Sequence, residues 1–97
     1  MDPMIVWNSV LSSYNTTSPA NITSNRQRLK GFMYLGNGQA GAITYTDTTS
    51  GAILYKMAVS ASDTYTINLV LPGEGILAAG GLTLTFTNCS YITTIYG

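Results

Sequence analysis

Apolar and polar residues alternate with a period of two along most of the chain after residue 28. Alternation in segments rich in β-branched and aromatic residues is typical of half-buried β-strands. In one such segment Leu82, Leu84 and Phe86 alternate with threonines. The pattern predicts strands at 28–35, 41–47, 52–59, 64–71, 82–87 and 91–96.

Turn-forming residues separate these segments. A short run of threonine, serine and glycine joins 41–47 to 52–59, which predicts an antiparallel hairpin with a loop of about four or five residues. Pro72 is predicted to end the strand over 64–71, because proline has no N–H to donate to a neighbouring strand.

The remaining segments are less regular. Alternation around Trp7 predicts a strand over 4–11, whereas 12–24 is rich in serine, threonine and asparagine and is predicted to be a loop. Residues 77–79 are good helix formers, but they are too few for more than one helical turn.

Strands at this spacing predict a single all-β domain over residues 1–97. We expect an antiparallel β-sandwich, jelly-roll-like, with about six to eight strands. We interpret 1–25 as a docking arm or exchanged strand followed by a loop. A chain of this length buries only about two thirds of its unfolded surface, so oligomerisation or docking on a larger body would add to its stability. The residues expected to face the core are Trp7, Phe32, Ile43, Tyr45, Ile53, Tyr55, Ile67, Leu69, Leu82, Leu84 and Phe86.

Composition limits the chemistry that the chain can perform. Charged residues make up 8% of it, histidine is absent, and there is one cysteine, whereas soluble domains average roughly 25% charged residues. The lack of histidine excludes Ser-His-Asp and Cys-His sites, and one thiol cannot form a disulfide or a thiolate cage for a metal. We predict no enzymatic activity, no cofactor and no metal, and expect Cys89 to be a small buried or turn residue.

Charge and hydropathy also bear on partners and location. Four acids balance four bases, which argues against a dedicated nucleic-acid-binding protein. No apolar run approaches the roughly 18 to 20 residues of a membrane span, so we predict no membrane partner. The N-terminal residues lack the basic and apolar regions of a signal peptide, which predicts synthesis in a cytoplasm.

Three of the four basic residues, Arg26, Arg28 and Lys30, lie within five positions of one another. At a period of two they would project from one face of a strand. Such a cluster can protect a strand edge from aggregation, dock on an acidic protein surface, or contact nucleic acid. We favour protein docking as the functional hypothesis.

The outward-facing positions are mostly threonine, serine, asparagine, glycine and tyrosine. A surface rich in tyrosine and poor in charge is typical of interface cores, so we expect much of it to be buried in an assembly. Tyr91 and Tyr96 are candidates for a partner contact or a platform on which a sugar ring stacks. In the N-terminal segment, Ile5, Trp7 and Val10 are the candidate docking residues.

The order of several short motifs resembles that of small all-β virion proteins of tailed, often marine, bacteriophages. The resemblance covers roughly residues 31–97. The motifs are GFMY at 31–34, GAITYTD at 41–47, SGAIL at 50–54, LPGEGI at 71–76 and the terminal TTIYG at 93–97.

This resemblance implies a capsid decoration or cement protein on the virion surface. Such a protein would stabilise a phage head by binding between major capsid subunits, and by analogy it would form a homotrimer. The resemblance carries no catalytic residues. Two alternatives remain: a head-fibre or tail-tip module that contacts host glycans through exposed tyrosines, and a self-assembling filament subunit that uses strand addition.

Overall fold

The computed structural model describes residues 10–63 and 65–97, which form nine β-strands and contain no helix. The strands are β1 (Leu11–Asn15), β2 (Ala20–Thr23), β3 (Gln27–Gly36), β4 (Gly41–Asp47), β5 (Ile53–Val59), β6 (Thr66–Val70), β7 (Ile76–Ala78), β8 (Leu82–Thr87) and β9 (Cys89–Tyr96).

The strands form two packed antiparallel sheets. Sheet I has the order β1-β9-β3-β6, with β7 also paired to β3, and sheet II has the order β2-β8-β4-β5. The pairs are nested along the chain: β1 with β9, β2 with β8, β3 with β6 and β7, and β4 with β5. Successive pairs alternate between the sheets, as they do when one long hairpin rolls up into a jelly roll. The predicted jelly-roll-like antiparallel sandwich is therefore confirmed.

β6 and β7 occupy the same edge of sheet I. β6 pairs with the C-terminal part of β3 and β7 with its N-terminal part. Between them the chain turns outward, and the Gly75 N–H donates to the Pro72 carbonyl at 3.2 Å. The Leu71 N–H donates to the Lys30 carbonyl at 3.0 Å, so the chain stays against β3 as far as this loop. The predicted end of a strand before Pro72 is confirmed. Because the loop separates β7 from β6, the two are separate strands, and the described residues form nine strands in all.

The core lies between the sheets and is rich in aromatic rings. The centroid of the Phe32 ring lies 5.2 Å from that of Tyr45 and 5.7 Å from that of Tyr55, which brings the two sheets into contact. Of the residues predicted to face the core, Phe32, Ile43, Tyr45, Leu82, Leu84 and Phe86 are buried, Tyr55, Ile67 and Leu69 are partly buried against them, and Trp7 lies outside the described residues.

The prediction that Ile53 faces the core is wrong, because its side chain is 61% exposed. Tyr55 pairs with Tyr45 and Ile53 pairs with Thr46, so Leu54 is an extra residue in β5. This β-bulge reverses the alternation at the start of the strand. Ile53 therefore lies beside Thr46 on the outer face, and Leu54 packs against the core.

The predicted loop over 12–24 is also wrong, since most of β1 and all of β2 lie within it. Each is an edge strand that pairs with one neighbour. An edge strand leaves one row of backbone groups and much of its side-chain surface to water, so serine, threonine and asparagine are compatible with it. Of the predicted strand over 4–11, only Val10 and Leu11 are described, and β1 begins at Leu11.

Two further details concern β6 and β7. Residues 77–79 form no helical turn, since Leu77 and Ala78 belong to β7 and pair with β3. Backbone pairing in the sheet overrides a weak helix propensity. Tyr65, which the alternation places inward with Ile67 and Leu69, precedes β6 and is 67% exposed.

Candidate docking surface

The outer face of sheet I consists of the side chains that alternate with core residues. Phe32, Tyr34, Ile92 and Thr94 are buried, so the side chains between them point away from the core. The strand register joins eleven residues of this face across β1, β9, β3 and β6, and none of these eleven is charged. They are Ser12, Tyr14, Gly31, Met33, Leu35, Thr66, Asn68, Val70, Tyr91, Thr93 and Ile95.

An aromatic pair lies at the β1 side of this face. The rings of Tyr14 and Tyr91 have centroids 5.5 Å apart and an interplanar angle of 32°. The Tyr91 hydroxyl is hydrogen-bonded to the Thr66 hydroxyl at 2.9 Å, which links β9 to β6 across the face. Tyr14 remains 64% exposed, so this pair presents an aromatic surface to solvent.

An aliphatic region lies at the β6 side of the same face. Val70 is 75% exposed and pairs with Gly31, which in turn pairs with Ile95. A Cβ at Gly31 would lie 2.6 Å from the Leu69 carbonyl oxygen, so β3 and β6 approach closely between Val70 and Ile95. The face therefore combines exposed aromatic and aliphatic groups with threonine and asparagine, without a charge.

The basic residues lie at one end of this face. Arg28 and Lys30 flank the buried Leu29 in β3, so both side chains point outward, and Arg26 is exposed just before the strand. A register shift between Leu29 and Gly31 leaves Lys30 as the extra residue at a bulge. β3 lies inside sheet I between β9 and β6, so the interpretation that these bases protect a strand edge is wrong. They border an uncharged surface instead.

Tyr91 and Tyr96 do not form a common platform. Tyr96 is partly buried against the core, whereas Tyr91 lies on the outer face. Five positions separate them in one strand, and an odd separation places side chains on opposite faces. The ring that accompanies Tyr91 is Tyr14, which only the pairing of β1 with β9 brings close.

The N-terminal candidates can be placed only in part. Val10 is 55% exposed and immediately precedes β1. Ile5 and Trp7 lie outside the described residues, so their assignment as docking residues stays a prediction.

The outer face of sheet II has a different character. Its centre is a set of threonines, with Thr44 paired to Thr85 and Thr46 paired to Thr83. The exposed Lys56 pairs with Thr44 and adds a charge to this face. The two outer faces thus differ in polarity, and the less polar one belongs to sheet I.

Asp47 holds two loops at the end of sheet II. Its Oδ1 accepts hydrogen bonds from the N–H groups of Thr49 and Ser50 at 3.0 and 3.1 Å, and its Oδ2 accepts one from the Gly80 N–H at 2.9 Å. The N–H groups of Gly80 and Ser50 lower the pKa of this carboxyl below its usual range. These bonds stabilise the charged form and join the β4–β5 turn to the loop before β8.

The carboxylate of Asp63 lies near two weakly acidic groups, the Tyr34 hydroxyl and the Cys89 thiol. The Asp63 Oδ2 accepts hydrogen bonds from the Ser60 N–H at 2.9 Å and from the Tyr34 hydroxyl at 3.4 Å. Burial raises the pKa of Tyr34 and of the Cys89 thiol, and the Asp63 charge raises both further. A buried thiol with a raised pKa is a poor nucleophile, which agrees with the predicted packing role of Cys89.

Residues 10–63 and 65–97 contain no enclosed pocket and no cluster of metal-ligating side chains. Nor does this part of the chain include a helix long and apolar enough to cross a membrane. The candidate site is therefore an open surface, on which a partner would bind by surface contact and not inside a pocket.

Sequence reasoning missed Tyr14 and Val70 as surface residues of this site. Tyr14 lay in a segment predicted to be a loop. The alternation in 64–71 places Val70 on the strand face opposite Ile67 and Leu69, so the sequence did indicate that Val70 faces outward. No family model matches the chain, and no curated protein or solved structure matches it either.

Proposed function

We propose that the protein is a structural virion component, a capsid decoration protein that binds between major capsid subunits on the outside of a phage head. The observation that supports it most is the uncharged outer face of sheet I, on which Tyr14 and Val70 are prominently exposed. Protein interfaces have cores that are depleted of charge and enriched in aromatic side chains. A face of this composition suits a partner protein.

The distribution of charge supports the same proposal. Arg26, Arg28 and Lys30 stand at the end of the face, where they form a basic rim beside an uncharged centre. A rim of one sign selects a partner surface of the opposite sign and orients it. The partner expected is therefore an acidic edge on a capsid subunit. Jelly rolls occur in viral capsid proteins and in lectins, so the fold alone leaves the function open.

The test is binding to shells assembled from the major capsid protein encoded in the same genome. Val70→Lys places a charge on the β6 side of the outer face of sheet I without disturbing the core. Thr85→Lys places the same charge on the outer face of sheet II, where Thr85 is also exposed. We expect Val70→Lys to weaken binding at least about tenfold and Thr85→Lys to bind as the wild type does.

Two results would contradict the proposal. One is a wild-type protein that remains in the supernatant when shells are sedimented. The other is equal binding of shells by both lysine variants. Thermal unfolding of both variants checks that neither has lost its fold.

The Tyr14–Tyr91 pair favours a second candidate function, the binding of a host glycan by a head-fibre or tail-tip module. Exposed aromatic rings stack on the apolar faces of sugars, and Asn68, Thr93 and Thr66 supply polar groups on the same face. Titration with neutral oligosaccharides followed by NMR tests it. Tyr14→Ala is expected to abolish the shifts, and Tyr65→Ala, at a similarly exposed tyrosine of 67% against 64%, is expected to retain them. Equal responses would exclude this platform.

A further inference from the structure

The four sheet edges of the sandwich are not equally protected against pairing with another strand. An edge strand presents unpaired N–H and C=O groups, which proteins usually guard with charges, prolines, bulges or short strands. In sheet II, β2 has four residues with a register shift after Asn21. At the other edge of that sheet, β5 has the exposed Lys56 and the bulge at Leu54.

The edge of sheet I formed by β6 and β7 is protected as well. The outward loop that begins at Pro72 divides it, and this loop also contains Glu74. No continuous strand longer than the five residues of β6 is available there. A partner strand could not follow this edge past the loop.

β1 is as short as β6, with five residues, but it has no charge, proline, bulge or dividing loop. Its sequence LSSYN contains no charge and no proline, and its register with β9 is continuous from Leu11 to Asn15. Among the described residues, nothing pairs with its outer edge. Of the four edges in the described part of the chain, it is the one that no charge, bulge, register shift or loop interrupts.

Apolar exposure is concentrated at the same place. The described residues leave six large hydrophobic side chains exposed, and three of them, Val10, Leu11 and Tyr14, lie at or next to β1. Leu11 pairs with Tyr96 on the core side of sheet I, whereas Tyr14 lies on the outer face. An added strand would cover apolar groups on both sides of this edge.

We propose that β1 pairs antiparallel with β1 of a second copy of this chain, about a two-fold axis, so that two copies of sheet I become one continuous sheet. An antiparallel self-pairing is isologous and closes at two subunits. It sets no like charges opposite each other, because β1 contains none. Pairing of backbone groups supplies the contact, as in other cases of strand addition.

This dimer would place two Tyr14–Tyr91 pairs on one enlarged outer face. The inference therefore extends the proposed docking function and rests on it, but dimer formation can be measured in the absence of capsid shells. β1 and β6 lie at opposite sides of sheet I, so the edge can be altered separately from Val70.

Sedimentation equilibrium of the full chain over a range of concentrations tests the pairing. We expect a monomer–dimer equilibrium, with the dissociation constant raised at least about tenfold by Ser12→Lys, since a charge guards an edge strand. Ser12→Thr controls for the position, and Thr85→Lys controls for the added charge. Both controls are expected to dimerise as the wild type does. A wild type that stays monomeric, or that forms trimers, would overturn the inference, and so would a Ser12→Lys variant that dimerises normally.

Amide hydrogen exchange provides the second measurement and identifies the strand. Protection that increases with protein concentration is expected within Leu11–Asn15 and not within Ile53–Val59. Protection of β1 that is independent of concentration would mean that another part of the same chain covers the edge. Loss of the dimer in Trp7→Ala while Ser12→Lys dimerises would assign the contact to the N-terminal segment. Either result would contradict pairing through β1. The dimer is measured without shells, so a wild type that binds shells but stays monomeric would overturn the pairing and leave the proposed function standing.

Discussion

At the scale of single residues, two polar contacts join parts of the sandwich that are distant in the chain. Asp47 accepts backbone N–H groups from two separate loops, at Thr49, Ser50 and Gly80. Tyr45 and Thr94 share a hydrogen bond of 2.7 Å inside the core, between sheet II and sheet I. Neither contact belongs to the docking surface, so their roles can be measured as stability alone.

The pKa of Asp47 lies below its ordinary value because backbone N–H groups stabilise its carboxylate. A lowered pKa in the folded state contributes stability that is present above the unfolded-state pKa, about 3.9. This stability is lost as the pH falls through the folded-state pKa. We expect the Tm of the wild type to exceed that of Asp47→Asn at pH 7, and the difference to shrink below about pH 4. A difference that stays constant down to the acid limit of folding would contradict this linkage.

The Tyr45–Thr94 pair predicts a non-additive double-mutant cycle. Tyr45→Phe leaves the fully buried Thr94 hydroxyl without its partner, which costs about 1–3 kcal/mol. Tyr45→Phe combined with Thr94→Val removes both polar groups, and we expect it to recover part of that loss. Urea denaturation measures each free energy of unfolding.

Tyr91→Phe is the control for this cycle. The hydrogen bond of Tyr91 with Thr66 lies at the surface, where water can replace the lost partner. We expect it to cost less than Tyr45→Phe. Equal costs would mean that burial does not decide the strength of the Tyr45–Thr94 contact.

At the scale of elements, bulges and loops decide which face of a strand a residue occupies. The bulge at Leu54 turns Ile53 outward, and the shift between Leu29 and Gly31 leaves Lys30 as an extra residue beside Arg28. The alternation of the sequence predicts β3, β4, β5, β6, β8 and β9 well, because each has a clear apolar side. It does not reveal a bulge, since one inserted residue leaves both flanking patterns intact.

The loop between β6 and β7 offers a matched pair of substitutions. Gly73 and Gly75 have φ angles of +62° and +82°, where a side chain costs about 1 kcal/mol or more. A Cβ at Gly73 meets nothing within 4 Å, whereas a Cβ at Gly75 would overlap the Leu29 carbonyl oxygen. We therefore expect Gly75→Ala to lower the free energy of unfolding more than Gly73→Ala does. Similar losses in urea denaturation would show that the loop shifts freely away from β3.

At the scale of the whole molecule, the nested pairing joins residues far apart in the chain. β1 pairs with β9, so the contact between Leu11 and Tyr96 closes almost the full described length. Folds dominated by such distant pairs fold slowly, because loop closure must precede the contacts that stabilise it.

We expect the dominant folding phase of this jelly roll to take milliseconds to seconds, as in other all-β sandwiches. Stopped-flow far-UV circular dichroism after dilution from urea measures it. Folding within microseconds would contradict the expectation, since it would require mainly local contacts in the transition state.

The proposed docking surface depends on this largest scale as well. The basic cluster of Arg26, Arg28 and Lys30 could be recognised from the sequence as a cluster, because its members are neighbours in the chain, and Tyr91 could be named as a single residue. Tyr14 and Tyr91 are separated by most of the chain and become neighbours only through the β1–β9 pairing. The opposite orientation of Tyr91 and Tyr96 follows from their odd separation within β9, so that part was available from alternation.

The sequence by itself determined the all-β class, most of the strands and most of the core, because period-two alternation records the two faces of each strand locally. It also determined the low charge, which leaves most of the outer face of sheet I uncharged and its basic residues clustered at one end. Only the tertiary structure decided that the polar segment at 12–24 forms two edge strands, that Ile53 faces outward and that β3 lies inside its sheet. These features depend on which strands are neighbours, and neighbours are chosen by the packing of the whole chain rather than by any one segment.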